Sequence, residues 1–110
     1  MSSELIGKVC TPCQGGIPPL SPTEAQVFQK QTAKWDLTDE STWIRRSFSF
    51  DNFVDALDFV NKVGALSETE GHHPDISLGW GYVDISLQTH KIKGLHENDF
   101  ILASKIDAIS

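Results

Sequence analysis

The strongest constraint on this chain is the alternation between residues 76 and 87. Ile76, Leu78 and Trp80 alternate with small or polar residues, and Val83, Ile85 and Leu87 repeat the pattern. Successive side chains of a strand point to opposite faces, so each run predicts a strand with one buried face. Gly79 and Gly81 bracket a tight turn between them, which makes the pair a hairpin. Trp43 to Phe50 also alternates, with Ile44, Phe48 and Phe50 on one face and Ser47 and Ser49 on the other. Arg46 interrupts that apolar face, which predicts that one end of the strand meets solvent. Trp35 to Leu37 reads as a short strand, joined to the longer one by the polar turn Thr38-Asp39-Glu40-Ser41. The chain thus carries two hairpins.

Helical signals separate and flank them. Ser21-Pro22-Thr23-Glu24 is a capping box with proline at the first helical position, and the helix it opens should stop near Lys34. Asp51 can cap a second helix, whose stripe is Phe53, Ala56, Leu57, Val60 and Val63. Pro74 disfavours helical backbone at His73, so that helix should end before the histidines. A last helix runs from Glu97 to Ile109, with Leu102, Ile106 and Ile109 on one side. The order is α-β-β-α-β-β-α. It predicts an α+β fold, a two-layer sandwich in which three helices pack on one face of a four-stranded antiparallel sheet. Residues 1–20, rich in proline and glycine, read as an irregular N-terminal arm before a single domain at 21–110.

Composition narrows the function classes. At 110 residues one domain is expected, and 39% hydrophobic content is ordinary for a globule. The formal charge of −6 argues against a general nucleic-acid binder, which needs a basic stripe. No stretch approaches a membrane span, and the N-terminus lacks the pattern of a secretory signal. With only Cys10 and Cys13 as thiols, no disulfide framework is readable, and the expected location is cytoplasmic. Cys10-x-x-Cys13 alone falls short of a zinc site, and its arm lacks the βα context of a redox motif.

The chemistry concentrates late in the chain. All four histidines lie between positions 72 and 96. His72 and His73 precede the third strand, and His90 follows the fourth. In an antiparallel hairpin those two ends are neighbours, so three imidazoles should meet at one edge of the sheet. Imidazole titrates near neutral pH and is the usual general acid or base. A His-His dipeptide in extended chain sends its rings to opposite sides, which suits one metal poorly. One ring would face the site while the other turns away or grips a ligand's rim. His96 alone reads as a surface or satisfied core histidine. Glu68, Asp75 and Asp99 are candidate neighbours of the histidines. Asp99 reads equally as a first-turn acid complementing the helix dipole, and Glu68 as a solvated helix-end residue. Trp35 and Trp80 could offer flat surface to an aromatic ligand or simply pack.

The segment from Gly71 to Ala103 resembles the pterin-4a-carbinolamine dehydratase family. The residues that carry the likeness are His72-His73-Pro74, Thr89-His90, Gly94-Leu95 and Asp99. Upstream, Trp35, the Phe48/Phe50 strand and the Phe53 helix also fit, so the likeness covers roughly residues 20–108. The Cys-x-x-Cys arm looks like that of bacterial members. One position departs: where the family commonly has Ser or Thr after Gly-Leu, this chain has His96. A poorer cap there would weaken the last helix's start by about 0.5–2 kcal/mol and could shift Asp99.

The resemblance implies dehydration of a 4a-hydroxytetrahydropterin to a quinonoid dihydropterin, recycling the cofactor of aromatic amino acid hydroxylases. It implies no metal and no cofactor, a homodimer or homotetramer, and a hydroxylase pathway as possible partner. The catalytic histidines map onto His72, His73 and His90. Asp99, Glu68, Trp35, Pro74 and Thr89 map as binding or orienting residues. His72 and His90 would form the acid–base pair, His73 would hold the pterin, and Asp99 with Glu68 would orient and tune the imidazoles. Two competing readings are a protein-binding module, as a transcriptional dimerisation cofactor or a Rubisco-assembly chaperone, and a zinc hydrolase built on the histidines.

Overall fold

The computed structural model describes Leu5, Gly7, Lys8 and residues 17–110. The Cys10/Cys13 pair lies outside the described residues. From Pro22 onward, seven α-helices and β-strands of the described residues follow in the expected order: α1 (Pro22–Gln29), β1 (Asp36–Thr38), β2 (Trp43–Ser49), α2 (Phe53–Glu70), β3 (Asp75–Gly79), β4 (Tyr82–Leu87) and α3 (Glu97–Ile109). The strands form one antiparallel sheet in the order β1-β2-β4-β3. None of the described helices is long and apolar enough to cross a membrane.

Register follows the alternation. Ile44 lies opposite Leu87, Phe48 opposite Val83, and Ile76 opposite Ile85, so the apolar side chains of the strands share one face. That face and the helices enclose a continuous core that includes Trp35, Ile44, Phe48, Phe59, Val83, Phe100 and Leu102. Leu5 is buried in the same core. Ser47 and Ser49 are exposed on the other face.

Local chemistry explains the starts and stops. The Ser21 hydroxyl accepts the Glu24 N–H at 3.2 Å, and Glu24 accepts the Ser21 N–H at 2.9 Å. After α1, the chain tightens into a 3-10 turn over Lys30–Thr32. The cap of α2 is Asn52 rather than Asp51: its side-chain oxygen accepts the Asp55 N–H at 2.8 Å. Gly71 ends α2 in the left-handed region at φ 66°, where a side chain would be strained. The stop therefore precedes the proline that sequence reasoning relied on.

Three other expectations change. The buried stripe of α2 is Ala56, Phe59, Val63 and Ser67, while Phe53 and Leu57 face outward. Phe59 sets this rotation by packing on Phe48 and Phe50, with ring centroids at 4.7 and 5.2 Å. Arg46 does not lead its strand into solvent. It lies over the Phe48 ring at 4.2 Å and pairs with Asp107 of α3, which neutralises it where it stands. Finally, α3 is buried on nearly every side from Asn98 to Ser104, whereas Ile109 is partly exposed. Its apolar run Phe100–Ala103 is buried on every side, and the polar Asn98, Asp99 and Ser104 are buried with it. Trp80 sits in the β3–β4 turn, beyond the end of the strand, and is 72% exposed.

Candidate active site

Gly71 turns the chain so that the His72 N–H returns to the Ser67 carbonyl at 3.3 Å. His72-His73-Pro74 then leads into β3, whose first residue, Asp75, pairs with Ser86 of β4. Past β4, Thr89 bridges to Gly94, and a 3-10 turn over His90–Ile92 fills the interval. The two segments line one cleft of about 380 Å³, walled by Gly71, His72, His73, Gln88, Thr89, His90 and Lys91. The three histidines of the hairpin ends therefore share a cavity.

Each has its own carboxylate. His72, nearly buried, places Nε2 2.6 Å from Asp99 Oδ1. His73, exposed at the rim, contacts Glu68 Oε2 through Nε2. His90 Nε2 lies 3.9 Å from Asp75 Oδ1. The three acids named from sequence are thus distributed one to each imidazole. The His-His dipeptide divides as extended chain dictates, one ring inward and one at the rim.

Asp99 is the most constrained member, with no exposed surface. Its Oδ2 accepts the Thr89 hydroxyl at 2.8 Å and the His96 N–H at 3.0 Å. An ionised carboxylate only accepts, so the third partner, His72 Nε2, donates its N–H to Oδ1. That fixes the tautomer of a neutral His72, with Nδ1 as the ring's acceptor. Asp99 also occupies the third position of α3, where the helix dipole favours a negative charge.

Not every expected residue is brought to the cleft. Trp35 is wholly buried, and its indole N–H donates to Asp107 at 2.8 Å, so it presents no open surface to a ligand. Pro74 is absent from the cleft wall and acts on the backbone before β3. Trp80 lies in the distant turn. Gln88 and Lys91 line the cleft without having been named from the sequence, and Trp43 stands behind it, its ring meeting that of His90 edge to face at 5.6 Å. The signal was available, because Trp43 immediately precedes the Ile44–Leu87 pair and so falls beside the end of β4. His96 is a half-buried, satisfied histidine at the cap of α3. Its Nδ1 accepts the Asn98 N–H at 3.1 Å and completes a capping box with Asp99, so the helix start is not left open.

An α+β sheet bearing a histidine–carboxylate cleft at one hairpin end defines the class of this protein. The model of the family described as Pterin 4 alpha carbinolamine dehydratase matches residues 18–109, and the chain belongs to that family. A Methylococcus capsulatus protein named "Putative pterin-4-alpha-carbinolamine dehydratase" is 57% identical over 106 residues, covering 96% of this chain and 93% of that one. One of the same name from Aromatoleum aromaticum is 53% identical over 110 residues, covering 100% and 98%. Among solved structures, a transcriptional coactivator/pterin dehydratase from Brucella melitensis superposes with a TM-score of 0.77 at 31% identity, over 83% of this chain and 97% of that one. A pterin dehydratase-like protein identified as a RuBisCO assembly factor in the alpha-carboxysome gives 0.60 at 27% identity, over 69% and 88%.

Proposed function

We propose that this protein dehydrates a 4a-hydroxytetrahydropterin to the quinonoid dihydropterin and water, using histidines as acid and base. The observation that carries the reading is the single cleft lined by three imidazoles, each beside its own carboxylate. The reaction breaks the C4a–O bond, removes the N5 proton and forms a C4a=N5 double bond. The hydroxyl leaves as water once it is protonated. Two imidazoles in opposite protonation states perform both transfers, each typically worth ~10²–10⁴-fold. His72, held by Asp99, and His90, which lines the same cleft, form that pair. His73, steadied by Glu68, grips the pterin by hydrogen bonding. Thr89 fixes Asp99, while Pro74 and Trp35 support the frame around the site.

The test is the decay of chemically generated 4a-hydroxytetrahydropterin with purified protein. Wild type should accelerate it, and His72→Ala and His90→Ala should each lower turnover by about 10²–10⁴-fold. Wild-type rates in both variants would remove the assignment. A second reading, a protein-binding module, has one observation in its favour: Phe53, Val54 and Leu57 expose apolar surface near the start of α2. A folded protein without dehydratase turnover would favour it.

A further inference from the structure

The Asp99 carboxylate is held from two directions, and one of them belongs to a residue with no role in the reaction as written. Oδ1 receives His72; Oδ2 receives Thr89 and the backbone N–H of His96. His96 can present that N–H only while its own backbone stays in the extended cap conformation, φ −132° and ψ 163°. Its imidazole keeps it there. Nδ1 accepts the Asn98 N–H at 3.1 Å, and the His96 carbonyl accepts the Asp99 N–H at 3.0 Å. The ring thus closes the first turn of α3 on one side and the Asp99 carboxylate closes it on the other.

Resting on the dehydratase reading, we infer that His96 is a positioning residue for the site. Its side chain sets the first turn of α3 so that Asp99 points Oδ1 at His72. The chain of contacts is short: imidazole to helix turn, turn to carboxylate, carboxylate to the buried imidazole of the cleft. Each link is a directional hydrogen bond between groups that are buried or half-buried, where a lost partner is felt most. Asp99 and Asn98 have almost no exposed surface, so water cannot readily replace the ring. Because Nδ1 accepts, the ring proton of neutral His96 resides on Nε2.

The experiment compares His96→Ala, His96→Gly and His96→Asn with wild type, by turnover and by the proton NMR signal of the His72 Nε2–H. Glycine tolerates the cap backbone with little loss of helix stability, so it keeps a folded variant without a ring. Asparagine restores a side-chain acceptor. We expect the alanine and glycine variants to lose about ten-fold in kcat with KM nearly unchanged, and to shift or broaden the His72 signal. Asparagine should restore both. The inference is overturned if the glycine variant keeps the wild-type kcat and His72 signal, or if asparagine folds but restores neither. If wild type shows no turnover, the dehydratase reading fails by itself, and the NMR comparison still decides whether His96 positions His72.

Discussion

Asp99 shows how one side chain can serve two ends. It is a helix-capping carboxylate and the anchor of a cleft histidine, and three donors converge on its two oxygens. An amide at that position carries a single acceptor oxygen and turns an N–H toward groups that also donate. Asp99→Asn should therefore lower the unfolding free energy by about 1–3 kcal/mol, measured by denaturant melts. It should also cut dehydratase turnover by about 10²-fold, because His72 loses the acceptor that fixes its tautomer. The rim pair behaves differently. Glu68 and His73 are both well exposed, and exposed ion pairs contribute little to folding. Glu68→Gln should leave the melting free energy within about 0.5 kcal/mol, and its effect should appear in KM for the pterin.

At the scale of elements, the β1–β2 turn stands apart. Asp39, Glu40 and Ser41 all adopt positive φ, at 50°, 57° and 65°, although none is glycine. The left-handed conformation costs an L-residue about 1–2 kcal/mol, partly offset by the extra freedom glycine has when unfolded. Glu40→Gly should accordingly stabilise the protein by about 0.5–1 kcal/mol, read as a higher melting temperature. The turn's position was legible in the sequence as a polar break between two alternating runs, but its handedness was not. The hairpins, the Ser21 capping box and the convergence of the three histidines were legible because period and pairing are local properties. The face of α2 was not, since Phe53, Leu57 and Phe59 are all apolar and only contact with Phe48 and Phe50 selects Phe59. Asp99 could be named from its motif. Its burial could not be foreseen, because it depends on α3 lying inside the fold and on His96 serving as a cap.

For the molecule as a whole, the buried helix α3 is the element to disturb. Leu102 has no exposed surface, and truncating such a side chain leaves a cavity as well as losing its burial. Leu102→Ala should cost about 2–5 kcal/mol, whereas Val54→Ser on the outer face of α2 should change little; urea titration of both distinguishes the core from the surface. The core side of this contrast includes the sealed indole of Trp35. The chain has three tryptophans, and they sit at three depths. Trp35 is wholly buried, Trp80 is largely exposed, and Trp43 is partly covered against the His90 ring. Placed this way, they form a built-in optical gauge. Trp80 should emit as an indole in water, Trp35 should change its emission only when the core opens, and Trp43 should respond to changes at the His90 ring it touches. Binding and unfolding should therefore be visible as separate fluorescence changes in unlabelled protein.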